Sequence, residues 1–144
     1  MTQLETNRAR EQAQAQLENI REMVKALRDA FDHDTENEDN NDNGNEEKIL
    51  VSIEEAEEAI REDPLEVSIR TGWHGIGNNP EPDEYRILLY TGGSEVVLIG
   101  RLYHNLPIDV FLEYQGCVKP WERYPLDRDE KDDCLTYARQ FDFG

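Results

Sequence analysis

The chain has 144 residues, with 33 acidic side chains against 15 basic ones and a formal net charge of −18. That length suits one domain whose core needs no crosslinks. So negative a surface repels nucleic-acid phosphates and anionic headgroups, which excludes direct DNA, RNA or membrane binding as the expected mode and favours basic protein surfaces as partners. Cys117 and Cys134 are the only cysteines and form no CxxC pair, so two reduced thiols in a reducing compartment are expected. Residues 1–10 carry charges and amides where a secretory signal needs an apolar run. No stretch approaches the roughly 18 apolar residues of a membrane span. A cytoplasmic protein is expected.

Residues 1–32 predict an amphipathic helix. From Gln3 to Phe31 there is no Gly or Pro, and Ala, Gln, Glu and Arg dominate. Ala13, Leu17, Ile20, Val24, Leu27 and Phe31 are spaced four, three, four, three and four apart, a coiled-coil-like seam. The seam either docks on the protein's own body, or joins two copies through Leu17, Ile20, Val24, Leu27 and Phe31, or takes a partner. Residues 33–47 have seven acids, no base and no large apolar side chain. Such a segment buries too little to offset its ordering entropy, so a disordered acidic linker is expected there.

Residues 48–144 predict an α+β domain. Ser52 with Glu55 three residues later is a capping box, with Val51 and Ala56 as its staple, so a helix is expected to start at Ser52 and to stop before Pro64. From Leu65 the period becomes two. Leu65, Val67, Ile69, Thr71 and Trp73 alternate with polar residues, which predicts a strand with one buried face. A Gly, Asn and Pro loop leads to a strand over 84–91, a tight turn at Gly92-Gly93-Ser94 and a strand over 95–104. A turn at Asn105-Leu106-Pro107 precedes a fourth strand over 108–114. A Pro-containing connection over 119–125 leads to a last helix over 128–141, with Asp127 and Glu130 as its capping box and Leu135, Ala138 and Phe141 facing inward. The fold expected is a four-stranded antiparallel meander with helices on one face, plus the N-terminal helix.

Motifs for chemistry fail for specific reasons. His33, His74 and His104 share no ligand spacing with a cysteine, so no metal site is expected. Asp39, Asn41, Asn43 and Gly44 resemble a calcium loop, but the twelfth position, which needs Glu, is Leu50. GWHGIG at 72–77 is followed by Asn-Asn-Pro, not by the helix a phosphate loop requires. No nucleophile–base order stands out. The chain is therefore expected to be no enzyme and to use no cofactor.

The charge itself is uneven. Residues 33–63 hold 13 acids and two bases. Glu54, Glu58 and Glu62 recur every four residues, flanked by Glu55 and Glu57 and followed by Asp63. Asp127, Asp129, Glu130, Asp132 and Asp133 form a second group. Together they are the expected partner-binding carboxylates. An adaptor would rely instead on the N-terminal seam and on aromatics such as Trp73, Tyr90, Tyr103, Tyr114 and Trp121.

The segments EDPLEVSIRTGW, YRILLYTGG, FLEYQGCVKPWERY and LTYARQFDFG resemble a family of small acidic proteins of unassigned biochemistry encoded by bacteriophages, prophages and plasmids. The resemblance covers residues 52–144, and the chain departs from the family pattern at Gly116-Cys117-Val118. It implies an accessory protein of a mobile element acting in the host bacterial cytoplasm. Such genes keep company with anti-restriction and anti-CRISPR proteins, some of which present carboxylates where a target expects phosphates. The expectation that follows is inhibition of a host nucleic-acid-processing complex by charge mimicry. The alternative is a non-enzymatic dimeric adaptor using the N-terminal helix.

Overall fold

The computed structural model describes the backbone of residues 2–36, 43–117 and 119–143 and the side chains of residues 8–32, 52–117 and 119–143. Three helices and an antiparallel sheet make an α+β fold: α1 (Thr2–Glu36), α2 (Asn43–Glu62), β1 (Glu66–Arg70), β2 (Glu84–Thr91), β3 (Ser94–Tyr103), β4 (Leu106–Pro107), β5 (Phe111–Gly116), β6 (Glu122–Tyr124) and α3 (Arg128–Ala138). The main sheet runs β1-β2-β3-β5-β6, every neighbour antiparallel, with β4 paired to β3. This is the expected meander, enlarged at its far end. The Pro-containing connection holds β6, which pairs with β5 from Leu112↔Tyr124 to Tyr114↔Glu122.

Helix α1 packs against α2, α3, β3 and β5. Its apolar positions Ala9, Ala13, Leu17, Ile20, Val24, Leu27 and Ala30 are all buried. They share one core with Ile53 and Ile60 of α2, Cys134, Tyr137 and Ala138 of α3, and Ile87, Val96, Leu98 and Leu112 of the sheet. The dimerisation reading of the seam is thereby corrected. Leu17, Ile20, Val24 and Leu27 are covered by their own chain, each contributing about 1.5–3 kcal/mol of burial. Phe31, 48% exposed, is the one seam residue left outside, because the buried stripe passes through Ala30 instead.

The helices also reach into the expected linker. Helix α1 continues to Glu36 and α2 begins at Asn43, so Ser52 sits inside α2 and is not its cap. A Ser-x-x-Glu pair permits a start without compelling one, and residues 45–51 contain no Gly or Pro to enforce a stop. Residues 37–42, which include Asp39 and Asn41 of the calcium-like stretch, lie outside the described residues. At α3 the capping box holds: Asp127 accepts from the Glu130 amide at 2.8 Å and the Asp127 amide donates to Glu130 at 2.9 Å.

Strand β2 occupies the expected residues, and the turn before β3 uses Gly92 and Gly93 at φ 144° and 90°. The next turn lies earlier than its residue types suggested. His104 and Asn105 take φ 49° and 64°, a two-residue hairpin turn that leaves Leu106 and Pro107 to pair back onto β3. Strand β5 therefore begins at Phe111. Strand β1 is shorter than expected and lacks a buried face. Leu65, Val67 and Ile69 are 60%, 38% and 51% exposed, because β1 is the sheet's outermost strand and the helix layer lies over the strands inside it.

Candidate functional site

The acidic groups predicted to bind a partner divide into two classes in the structure. Asp133 is internal, 6% exposed, and its two oxygens take Arg21 Nε at 2.9 Å and Arg28 Nη1 at 2.7 Å. Arg21 and Arg28 lie seven residues apart on α1, two turns along one face, so this pairing ties α3 to α1. The neighbouring carboxylates raise the Arg21 pKa further, the Asp133 hydrogen bond most of all. Asp63 is also engaged: it accepts from Asn19 Nδ2 at 3.1 Å and from the Tyr137 hydroxyl at 2.7 Å, joining the end of α2 to both other helices. Asp127 and Glu130 cap α3. Glu57 faces Arg61 one turn on, at 3.8 Å. Asp133 and Asp63 are thus corrected from partner-binding to architectural residues, since a carboxylate bound by two internal donors is not offered to a partner.

Glu54, Glu55, Glu58 and Glu62 remain on α2, and Asp129 and Asp132 on α3, all exposed. At about 100° per residue, the four glutamates fall within roughly a 100° arc. That arc points away from Ile53, Ala56 and Ile60, the residues α2 turns to the core. Along the axis, Glu54, Glu58 and Glu62 are about 6 Å apart. No ion pair to another described residue engages any of the four.

The sheet's other face has the opposite character. All four arginines of residues 64–126, Arg70, Arg86, Arg101 and Arg123, line one open groove of about 700 Å³ together with Ile99, Phe111 and Trp121. Arg123 lies 4.1 Å above Phe111 and Arg86 5.6 Å from the Trp121 ring centre. Each arginine has a carboxylate: Arg70 with Glu84, Arg86 with Glu95, Arg101 with Asp109, and Arg123 with Glu113. These pairs neutralise the face; three span adjacent strands, and Asp109 reaches Arg101 from the connection between β4 and β5. Nothing in composition marked them, since the pairing partners come from different segments of the chain.

The remaining sequence candidates separate. Trp73 is fully exposed, whereas Tyr114 is buried and Trp121 lies in the groove. His74 sits in the exposed loop 3.1 Å from the Gly72 carbonyl, and His104 lies 3.5 Å from Glu81. The side chain of His33 lies outside the described residues. GWHGIG leads into strand β2 with no helix at its end. Cys117 is exposed and Cys134 buried, both free, and burial pushes the Cys134 thiol up to about 12. Among the described residues no group of three or more His, Cys, Asp or Glu is placed to hold a metal ion, and no helix is long and apolar enough to cross a membrane. Compared with protein-family models, with curated proteins and with solved structures, the chain gives no match.

Proposed function

We propose that this protein is a non-enzymatic inhibitor of mobile-element type that occupies the basic groove of a host nucleic-acid-processing complex, the outer face of α2 standing in for phosphates. One observation carries the reading. Once Asp63, Asp133, Asp127 and Glu130 are accounted for by internal bonds, Glu54, Glu55, Glu58 and Glu62 still form a single exposed stripe turned from the core. Packing four like charges on two turns of helix costs self-repulsion, which a cationic partner would relieve. Their spacing of about 6 Å is comparable to two phosphate steps of about 3.4 Å along one nucleic-acid strand. Asp129 and Asp132 extend the same charge on α3. The resemblance to acidic phage and plasmid proteins supports the choice of a host defence complex, of restriction or CRISPR type, as the target.

The test is capture of such complexes from a bacterial lysate at low and high salt, with duplex DNA as competitor, using the parent protein and E54K/E58K/E62K. Mimicry requires capture at low salt that high salt and DNA both abolish and that the triple variant lacks. Capture by the triple variant as strong as by the parent would overturn it.

A further inference from the structure

The outer edge of β1 has a composition that matches itself. Strand β1 ends the sheet order, so among the described strands its second edge has no partner. Its apolar side chains, Val67 opposite Ile87 and Ile69 opposite Tyr85, lie on the helix side of the sheet yet stay substantially exposed, as does Leu65 before them. An exposed edge usually carries a lysine, an internal proline or a bulge that blocks further pairing. This one has none: its five residues are Glu-Val-Ser-Ile-Arg, and its register with β2 is unbroken from Glu66↔Leu88 to Arg70↔Glu84.

We propose that β1 pairs antiparallel with β1 of a second copy, about a two-fold axis at Ser68, to form a homodimer with one sheet continuous across both chains. The occupant is identified by complementarity. A two-fold at Ser68 sets Glu66 opposite Arg70 of the second copy, and Arg70 opposite Glu66, on the outer face, so that Glu66 adds a second carboxylate to an arginine already bonded to Glu84 of its own chain. On the inner face it sets Val67 opposite Ile69 and Ile69 opposite Val67. Opposite charges and β-branched pairs directly across from one another are the favourable cross-strand combinations, and like charges there repel. A two-fold contact requires such self-complementary order. The same pairing places each fully exposed Trp73, just beyond the strand's end, beside the start of the other copy's β1 near Leu65. The edge is separate from the α2 stripe, so the inference stands or falls apart from the proposed inhibition.

A five-residue edge buries less than the roughly 1,200 Å² of a standard interface, so a dissociation constant in the micromolar range is expected. The experiment is sedimentation equilibrium of the full chain over a concentration series. The mass should rise from 16.8 kDa towards twice that value. E66R places like charges at both ends of the pairing and should weaken association about tenfold. E66R/R70E restores opposite signs across the axis but loses the bond from Arg70 to Glu84 within each chain, so it should associate more tightly than E66R or R70E alone. I69K, an inward charge on the edge, should abolish it. Glu66 and Arg70 are exposed surface residues, and thermal melting of each variant confirms folding. A monomer at every concentration, association unchanged by E66R and I69K, or a double variant that associates no more tightly than the single ones would each overturn the proposal.

Discussion

The Tyr137 hydroxyl donates to Asp63 across 74 residues of sequence, at 2.7 Å. With Asn19 on the same carboxylate, this contact closes the three helices around the end of α2. Burial, and then the bond to Asp63, push the Tyr137 phenol well above its ordinary range. Tyr137→Phe keeps the ring in the core and removes one charge-assisted bond. It should cost about 1.5–2 kcal/mol and lower the melting temperature by roughly 5 °C. Urea unfolding of parent and variant measures this, and an unchanged midpoint would show the bond contributes nothing.

Stability should also fall in alkali. Tyr137, Tyr85 and Cys134 are all held neutral by burial, Cys134 up to about 12. Their unfolded values are 10.0, 10.0 and 9.0. Above pH 9 the unfolded chain therefore loses protons that the folded chain keeps, and stability must decline with rising pH. The contribution is complete below pH 9 and is lost progressively towards about 12. Unfolding midpoints measured between pH 8 and 11 should drop steadily, and a flat profile would contradict the burial of these groups.

Asp133 stabilises the α1–α3 contact in spite of its burial. Asp133→Ala leaves Arg21 and Arg28 facing an apolar side chain and should destabilise by about 2–3 kcal/mol, below the full penalty of a buried pair because both guanidinium groups reach solvent. Asp129→Ala, on the exposed side of the same helix, should change stability by less than about 0.5 kcal/mol. Comparing the two by chemical denaturation separates the architectural carboxylate from the surface one.

The seam residues of α1 give a contrast of the same kind. Ile20→Ala should cost about 2–4 kcal/mol through the cavity it leaves, and Phe31→Ala, half exposed, less than about 1 kcal/mol. Neither loss should depend on protein concentration, as it would if the seam joined two chains.

Gly100 sits opposite Tyr85 in the sheet, with the Tyr85 ring folded over it and the Tyr85 hydroxyl on the Asp109 carbonyl at 2.6 Å. A Cβ here would lie 2.7 Å from the ring and would overlap the Asp109 carbonyl oxygen. Gly100→Ala should therefore destabilise by about 2–3 kcal/mol, measured by denaturant midpoint. Gly93→Ala, in open space at φ 90°, loses only the backbone preference of its turn and should cost about 1 kcal/mol.

Much of the candidate surface was legible as residue type but not as role. Glu54, Glu58 and Glu62 share a face of α2 by spacing alone, and the structure leaves them exposed. Asp63 and Asp133 looked equivalent to them in sequence. What separates them is the arrival of Asn19, Arg21, Arg28 and Tyr137 from distant elements, and the order of residues near an acid does not report such arrivals. The same limit hid the groove on the open sheet face, whose four arginine–carboxylate pairs assemble only when the strands and the connection carrying Asp109 have come together.

By itself the sequence determined the local elements: the apolar stripe of α1, the strands β2 and β3, the Gly92-Gly93 turn and the cap at Asp127. Each depends on neighbours within a few residues, through backbone preference or side-chain periodicity. Only the tertiary structure decided what each apolar face meets. It placed the α1 seam against the sheet, α2 and α3, and it left the apolar side of β1 beyond the helix layer. Periodicity declares that a face is apolar, but what covers it depends on how far the neighbouring layer extends.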